Sequence, residues 1–125
     1  MSHPRASTTT ALDVVEIGPA GATAIKTIGP AEPYLSGHYP GNPVYPGVFL
    51  LDLCEKLVSA CPAVERPFDH LNSLRFSAPT LPGDRIRIEL TLRRSPAGQV
   101  VGATFLGRSD TPDAEKKFTA RMSYS

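Results

Sequence analysis

Residues 46–62, PGVFLLDLCEKLVSACP, limit more than any other stretch what this chain can become. Proline is tolerated in the first turn of a helix and stops one at its far end, so Pro46 and Pro62 bracket a helix of about four turns. At 100° per residue its apolar side chains, Val48, Phe49, Leu50, Leu51, Leu53, Cys54, Leu57 and Val58, cover most of the circumference. Only Asp52, Glu55, Lys56 and Ser59 break the apolar surface, and they fall together as one narrow stripe. A helix this apolar has to be wrapped by other structure, and the rest of the chain has to supply the wrapping.

Strand patterns supply it. HLNSLRFSA, DRIRIELTLRR and QVVGATFLGRS alternate apolar and polar residues with period two, and KKFTARMSY does so more weakly. Upstream, Leu12 to Ile17 and Ala22 to Ile28 are short β-prone runs joined by GPAG, which predicts a hairpin. The links PTLPGD, SPAG and DTPD carry turn chemistry suited to joining neighbouring antiparallel strands. The expected order is β-β-α-β-β-β-β, an α+β fold in which one antiparallel sheet curls around one long central helix. Pairing two such sheets edge to edge would cover the remaining edge strand, so a dimer is expected.

A length of 125 residues suits one domain, and 41% hydrophobic with 20% charged residues is ordinary for a globular chain. Residues 1–10 are polar and lack periodicity, so they are read as a frayed terminus, with residues 11–125 as the single domain. A net charge of +1 with no basic run gives no reason to expect nucleic acid as a partner. No apolar stretch has the length of a membrane span, and MSHPRASTTT lacks the apolar core of a signal peptide; a cytoplasmic protein is expected. Cys54 and Cys61 lie roughly 10 Å apart along one helix and are expected as free thiols. His3, His38 and His70 are scattered without metal-ligand spacing, so no metal is expected.

Between the hairpin and the helix runs a proline-rich loop, residues 29–47, whose sequence from residue 38 is HYPGNPVYPG. Its prolines forbid a helix or a central strand there, and long ordered loops often carry function. His38-Tyr39-Pro40-Gly41-Asn42-Pro43-Val44-Tyr45-Pro46-Gly47, followed by an apolar run and Asp52, resembles the catalytic motif of the β-hydroxyacyl-acyl-carrier-protein dehydratases (FabZ/FabA-like), which have the hotdog fold. VVEIGPAGATAIKTI is similar to that family's first hairpin, and LRFSAPTLPGDRI to its Arg-Phe…Pro…Pro-Gly-Asp strand and turn. The resemblance spans about Val14 to Glu89. Two positions depart from the family pattern. Residues 1–11 carry neither its first helix nor its His-Arg-Tyr-Pro-like segment, and Lys56 stands where glutamine is common.

The resemblance implies a (3R)-3-hydroxyacyl-carrier-protein dehydratase that uses no cofactor and dimerises into a double hotdog. It also implies that Asp52 reaches the site from the other subunit and, through an ordered water, handles the departing hydroxyl, while the carbonyl of Val44 orients the His38 ring. The residue chemistry agrees. His38 has the side chain that titrates nearest neutrality and, held between prolines, can remove the C2 proton. The first helical turn, at Gly47 and Val48, offers free backbone N–H groups to the thioester oxygen. Lys56, one turn beyond Asp52, places a positive charge within reach of the carboxylate and modulates it.

Tyr39 and Tyr45 are read as packing residues, Cys54 as core, and His70 as the opening of a strand with no assigned role. The expected partner is an acyl carrier protein, met by a basic patch for which Arg66, Arg85, Arg87, Arg93 and Arg94 are candidates. Fatty-acid and polyketide or polyene synthesis both fit. Two other functions remain open: a non-catalytic or half-active subunit of a heteromeric hotdog dehydratase, and a hotdog acyl thioesterase.

Overall fold

A computed structural model describes residues 12–28, 47–81 and 83–124. The proline-rich loop with His38 and Val44, and the terminal residues 1–10, lie outside the described residues. Six strands form one antiparallel sheet: β1 (Val14–Gly18), β2 (Gly21–Thr27), β3 (His70–Phe76), β4 (Arg85–Arg94), β5 (Val100–Ser109) and β6 (Lys116–Ser123). One helix, α1 (Gly47–Ser59), lies between β2 and β3 in sequence. The strands are arranged in space as β1-β2-β4-β5-β6-β3.

In β2, β4, β5 and β6 the alternation read in the sequence is the alternation seen in burial, whereas β3, at the sheet edge, is exposed along most of its length on both faces. Ile86, Ile88, Leu90 and Leu92 of β4 are buried, as are Ala22 and Ala24 of β2, Ala103 and Phe105 of β5, and Phe118, Ala120 and Met122 of β6. These residues form one face of the sheet. Leu50, Leu53, Cys54, Leu57 and Val58 of α1 are buried in the same core, following the i, i+3, i+4 spacing of a single helical stripe. Burying a Leu or Phe side chain fully contributes about 1.5–3 kcal/mol, so Leu53, Leu57, Phe105 and Phe118, all at 0% exposure, are large contributors to this shared core. Cys54 and Cys61 are buried free thiols, as expected. Burial, and after it the neighbouring Glu55 carboxylate, pushes the Cys54 thiol far above its ordinary range, so it stays protonated.

Past Ser59 the backbone tightens. Ala60 N–H donates to the carbonyls of Lys56 and Leu57 at 3.2 and 3.1 Å, and Cys61 N–H to Val58 at 3.0 Å. Pro62, with no N–H, cannot prolong the helix.

One link differs from the sequence reading. The 77–84 segment does not join neighbours, because β3 lies beyond β6 at the far edge and β4 pairs with β2 and β5. Pro and Gly fix where a chain bends but not which strand it meets next. A buried lysine holds this crossover in place. Lys117, 7% exposed, donates from Nζ to the carbonyl of Pro79 at 2.9 Å and pairs with Glu115 and Asp84 at 3.2 and 3.6 Å. The crossover then ties into β2 through Gly83 N–H to the Ile28 carbonyl at 2.7 Å and Ile28 N–H to the Asp84 carbonyl at 2.8 Å.

Both sheet edges carry uncovered apolar side chains. Leu71 and Phe76 of β3 are 43% and 52% exposed, and Val15 and Ile17 of β1 are 38% and 46% exposed. Leu71 and Phe76 stand opposite Met122 and Phe118 in the β3–β6 register.

Candidate active site

The polar stripe of α1 becomes one wall of a pocket. Asp52 is half-buried, and Glu55, Lys56 and Ser59 are exposed around it. They line a pocket of about 310 Å³ whose other wall is Pro67, Phe68, Val58 and Met122. Two carboxylates and one ammonium at positions i, i+3 and i+4 thus face a mainly apolar surface, and Ser59 Oγ donates back to the Glu55 carbonyl at 3.1 Å. The pocket lies beside the β3 edge, since Phe68 leads into β3 and Met122 pairs with Leu71. A half-buried carboxylate against apolar walls can hold or pass a proton to a ligand group while a short acyl segment rests on the walls.

The other expected site residues divide into two groups. Gly47 and Val48 are the first two residues of α1, and Lys56 shares the pocket with Asp52. The N–H groups of a first helical turn have no partner within the helix, which fits the oxyanion role expected of Gly47 and Val48. His38 and Val44 lie outside the described residues. Phe68 and Met122 were not anticipated as pocket walls. Met122 could have been found by extending the alternation of Phe118 and Ala120 by one step, whereas Phe68 sits before β3 in a stretch without periodicity.

Comparison with known proteins supplies the family. The ApeI-like family model, described as ApeI dehydratase, matches residues 16–106, a span that takes in His38, Val44, Gly47, Val48, Asp52 and Lys56. The chain belongs to the ApeI-like dehydratase family. It is 33% identical over 110 residues to a 3-hydroxyacyl-[acyl-carrier-protein] dehydratase FabZ of Pelotomaculum thermopropionicum, covering 80% of this chain and 78% of that one. A FabZ of Caulobacter sp. is 36% identical over 109 residues, covering 78% and 66%.

Among solved structures, the dehydratase heterocomplex ApeI:P from Xenorhabdus doucetiae superposes with a TM-score of 0.71 at 18% identity, over 85% of this chain and 88% of that one. The PaaI protein of E. coli, from the phenylacetic acid degradation operon, superposes with a TM-score of 0.65 at 11% identity, over 94% and 86%. At such identities these superpositions speak for the fold, which is that of hotdog proteins.

Proposed function

We propose that the chain is a (3R)-3-hydroxyacyl-carrier-protein dehydratase that eliminates water across C2 and C3 of an acyl thioester to give the trans-2-enoyl thioester. The observation that carries this reading is the placement of Asp52. It is a half-buried carboxylate on the only helix among the described residues, in a pocket that opens beside an uncovered sheet edge. In this reading two copies pair along β3, covering Leu71 and Phe76 and closing the pocket with the partner's histidine loop. His38 takes the C2 proton, and the N–H groups of Gly47 and Val48 hold the charge that grows on the thioester oxygen. Asp52, through a water, gives a proton to the hydroxyl leaving C3. The carbonyl of Val44 keeps the His38 ring in its productive tautomer, and Lys56 modulates the carboxylate. All of these steps are acid–base chemistry.

Presenting a 3-hydroxybutyryl carrier protein to the purified chain, and following the loss of water by mass, tests the function. The wild type should dehydrate it, and His38→Ala and Asp52→Asn should each lower the rate by about 10²–10⁴-fold. A rate within tenfold of wild type for His38→Ala would refute the assignment of the base.

Lys56 in the pocket favours one second reading, a half-active subunit that needs a related hotdog chain to complete its site; the structural likeness to a dehydratase heterocomplex is consistent with it. A lone chain that is inert until such a partner is added would select this reading. Release of free thiol with no change at C2–C3 would instead select the thioesterase.

A further inference from the structure

Of the five arginines expected from the sequence as candidates for an acidic partner, three are committed elsewhere. Arg85 Nε and Arg87 Nη2 donate to Asp110 at 2.8 and 3.4 Å. Arg93 lies across Gly102 of β5 and donates from Nη2 to the Met122 carbonyl at 2.8 Å. The remaining two, Arg66 and Arg94, line a single cavity of about 550 Å³ together with Glu65, Gln99, Val101 and Tyr124.

Both guanidinium groups are fixed there with little neutralisation. The Arg66 guanidinium stacks over the Tyr124 ring, 3.9 Å from its centroid, and Tyr124 Oη donates to the Arg66 carbonyl at 2.7 Å. Its contact with Asp69 is long, 3.9 Å, between side chains that are 62% and 49% exposed, a geometry that contributes little. Arg94 donates from Nη1 to Gly98 and from Nη2 to Pro19, at 3.0 and 2.9 Å. Those carbonyls orient the group without cancelling its charge. Each guanidinium has five N–H donors, so both keep donors for a ligand. Glu65 is the one carboxylate on the cavity wall, and the net charge of the lining is positive.

The cavity adjoins the Asp52 pocket. The Tyr124 ring packs on Phe68 with centroids 4.7 Å apart, and Phe68 is a wall of that pocket. From Asp52 to Ser59 is about 10 Å of helix, and Ala63 on the cavity wall follows shortly after the helix end. A prosthetic arm that carries an acyl thioester at one end and a phosphate at the other would run from such a reaction pocket to a cationic site beside it. We propose that Arg66 and Arg94 bind the phosphodiester of the carrier's phosphopantetheine arm. This inference rests on the dehydratase reading for its substrate and adds to it the site of the arm's anionic end. A concave site with two forked donors suits a phosphate better than the flat acidic face of a carrier helix.

The test compares phosphopantetheine with pantetheine, which lacks the phosphate, by chemical-shift titration of the full chain. The wild type should bind the phosphorylated compound about tenfold more tightly, as two charge-assisted contacts would give. The Arg66→Gln/Arg94→Gln double variant should bind the two compounds equally, and Arg85→Gln should keep the preference. Should the double variant fail to fold, Arg66→Lys alone should reduce the preference, because it keeps a charge but loses the fork.

Equal binding by the wild type, or a preference that survives the double substitution, overturns the proposal. So does arginine dependence seen with the intact carrier protein but absent with phosphopantetheine, which would place an acidic helix on these residues. Dehydration without phosphate preference refutes the site alone, whereas phosphate preference without dehydration refutes the enzyme reading and leaves the site standing.

Discussion

Gly107 of β5 faces the core directly opposite Phe118 of β6, and the missing side chain is what lets that ring lie flat. A Cβ at this position would run into three carbons of the Phe118 ring, Cδ1, Cε1 and Cζ. Phe118 is 0% exposed, and its buried neighbours leave the ring no free volume into which to retreat. Overpacking of this kind costs about 1–3 kcal/mol, against which Ala in place of Gly regains about 0.5–1 kcal/mol of backbone entropy in a strand. The expected net effect of Gly107→Ala is a loss of about 1–2 kcal/mol, or roughly 3–10 °C in Tm for a chain of this length. Urea unfolding at fixed protein concentration should show a lower midpoint with an unchanged slope. Adding Phe118→Leu should recover part of the loss, with a coupling of at least about 0.5 kcal/mol between the two sites. A neutral or stabilising Gly107→Ala, or additive effects in the double variant, would refute this account of the packing.

Four further outcomes follow from the same structure. Lys117→Met should leave the Pro79 carbonyl and the Asp84 carboxylate without their cation, cost about 1–3 kcal/mol, and speed amide hydrogen exchange at Leu81, Gly83 and Asp84; unchanged exchange there would contradict the latch. Ala114 has a φ of 51°, so Ala114→Gly should raise stability by up to about 1 kcal/mol, measurable as a higher Tm, and a fall would contradict it. Leu71→Asp or Phe76→Asp on the β3 edge should shift light-scattering mass from dimer to monomer with loss of dehydration; a dimer unaffected by both changes would exclude that edge. The Arg85 hydrogen bond, with Arg87 behind it, holds the Asp110 carboxyl below the usual range. Its stabilising contribution is therefore complete above the ordinary carboxylate pKa of about 4 and is lost as pH falls through the lowered value. A carbon-detected titration should show the Asp110 midpoint rising in Arg85→Gln.

Much of the fold was legible because period-two alternation is a direct record of burial on one sheet face. The strand containing Arg85 and Arg94 reads in burial as it reads in sequence, and the helix from Gly47 to Ser59 shows its stripe at the four expected positions. Strand adjacency was not legible. The PTLPGD sequence signals a bend, but the long-range pairing of β6 with both β5 and β3 decides where the chain goes afterwards. Lys117 was hidden for a related reason: it sits where the β5–β6 register shifts, so simple alternation gives no sign that an ammonium turns inward to hold a distant loop.

At the site, Asp52 and its companions could be read from helical periodicity, whereas the role expected of His38 rests on motif resemblance alone, for a residue outside the described ones. The arginines could not be ranked from sequence, because the difference between Arg85 on Asp110 and Arg66 on Tyr124 is purely spatial.

The most direct measurement mixes two inactive proteins. In a two-fold symmetric dimer whose sites each draw His38 from one copy and Asp52 from the other, combining His38→Ala with Asp52→Asn gives mixed dimers with one site intact and one doubly altered. After subunits are reshuffled at equal concentration, half of the dimers are mixed, and dehydration should recover to roughly a quarter of the wild-type rate. No recovery from a mixture verified by mass to contain mixed dimers would place both groups in one chain's own site and contradict the shared seam.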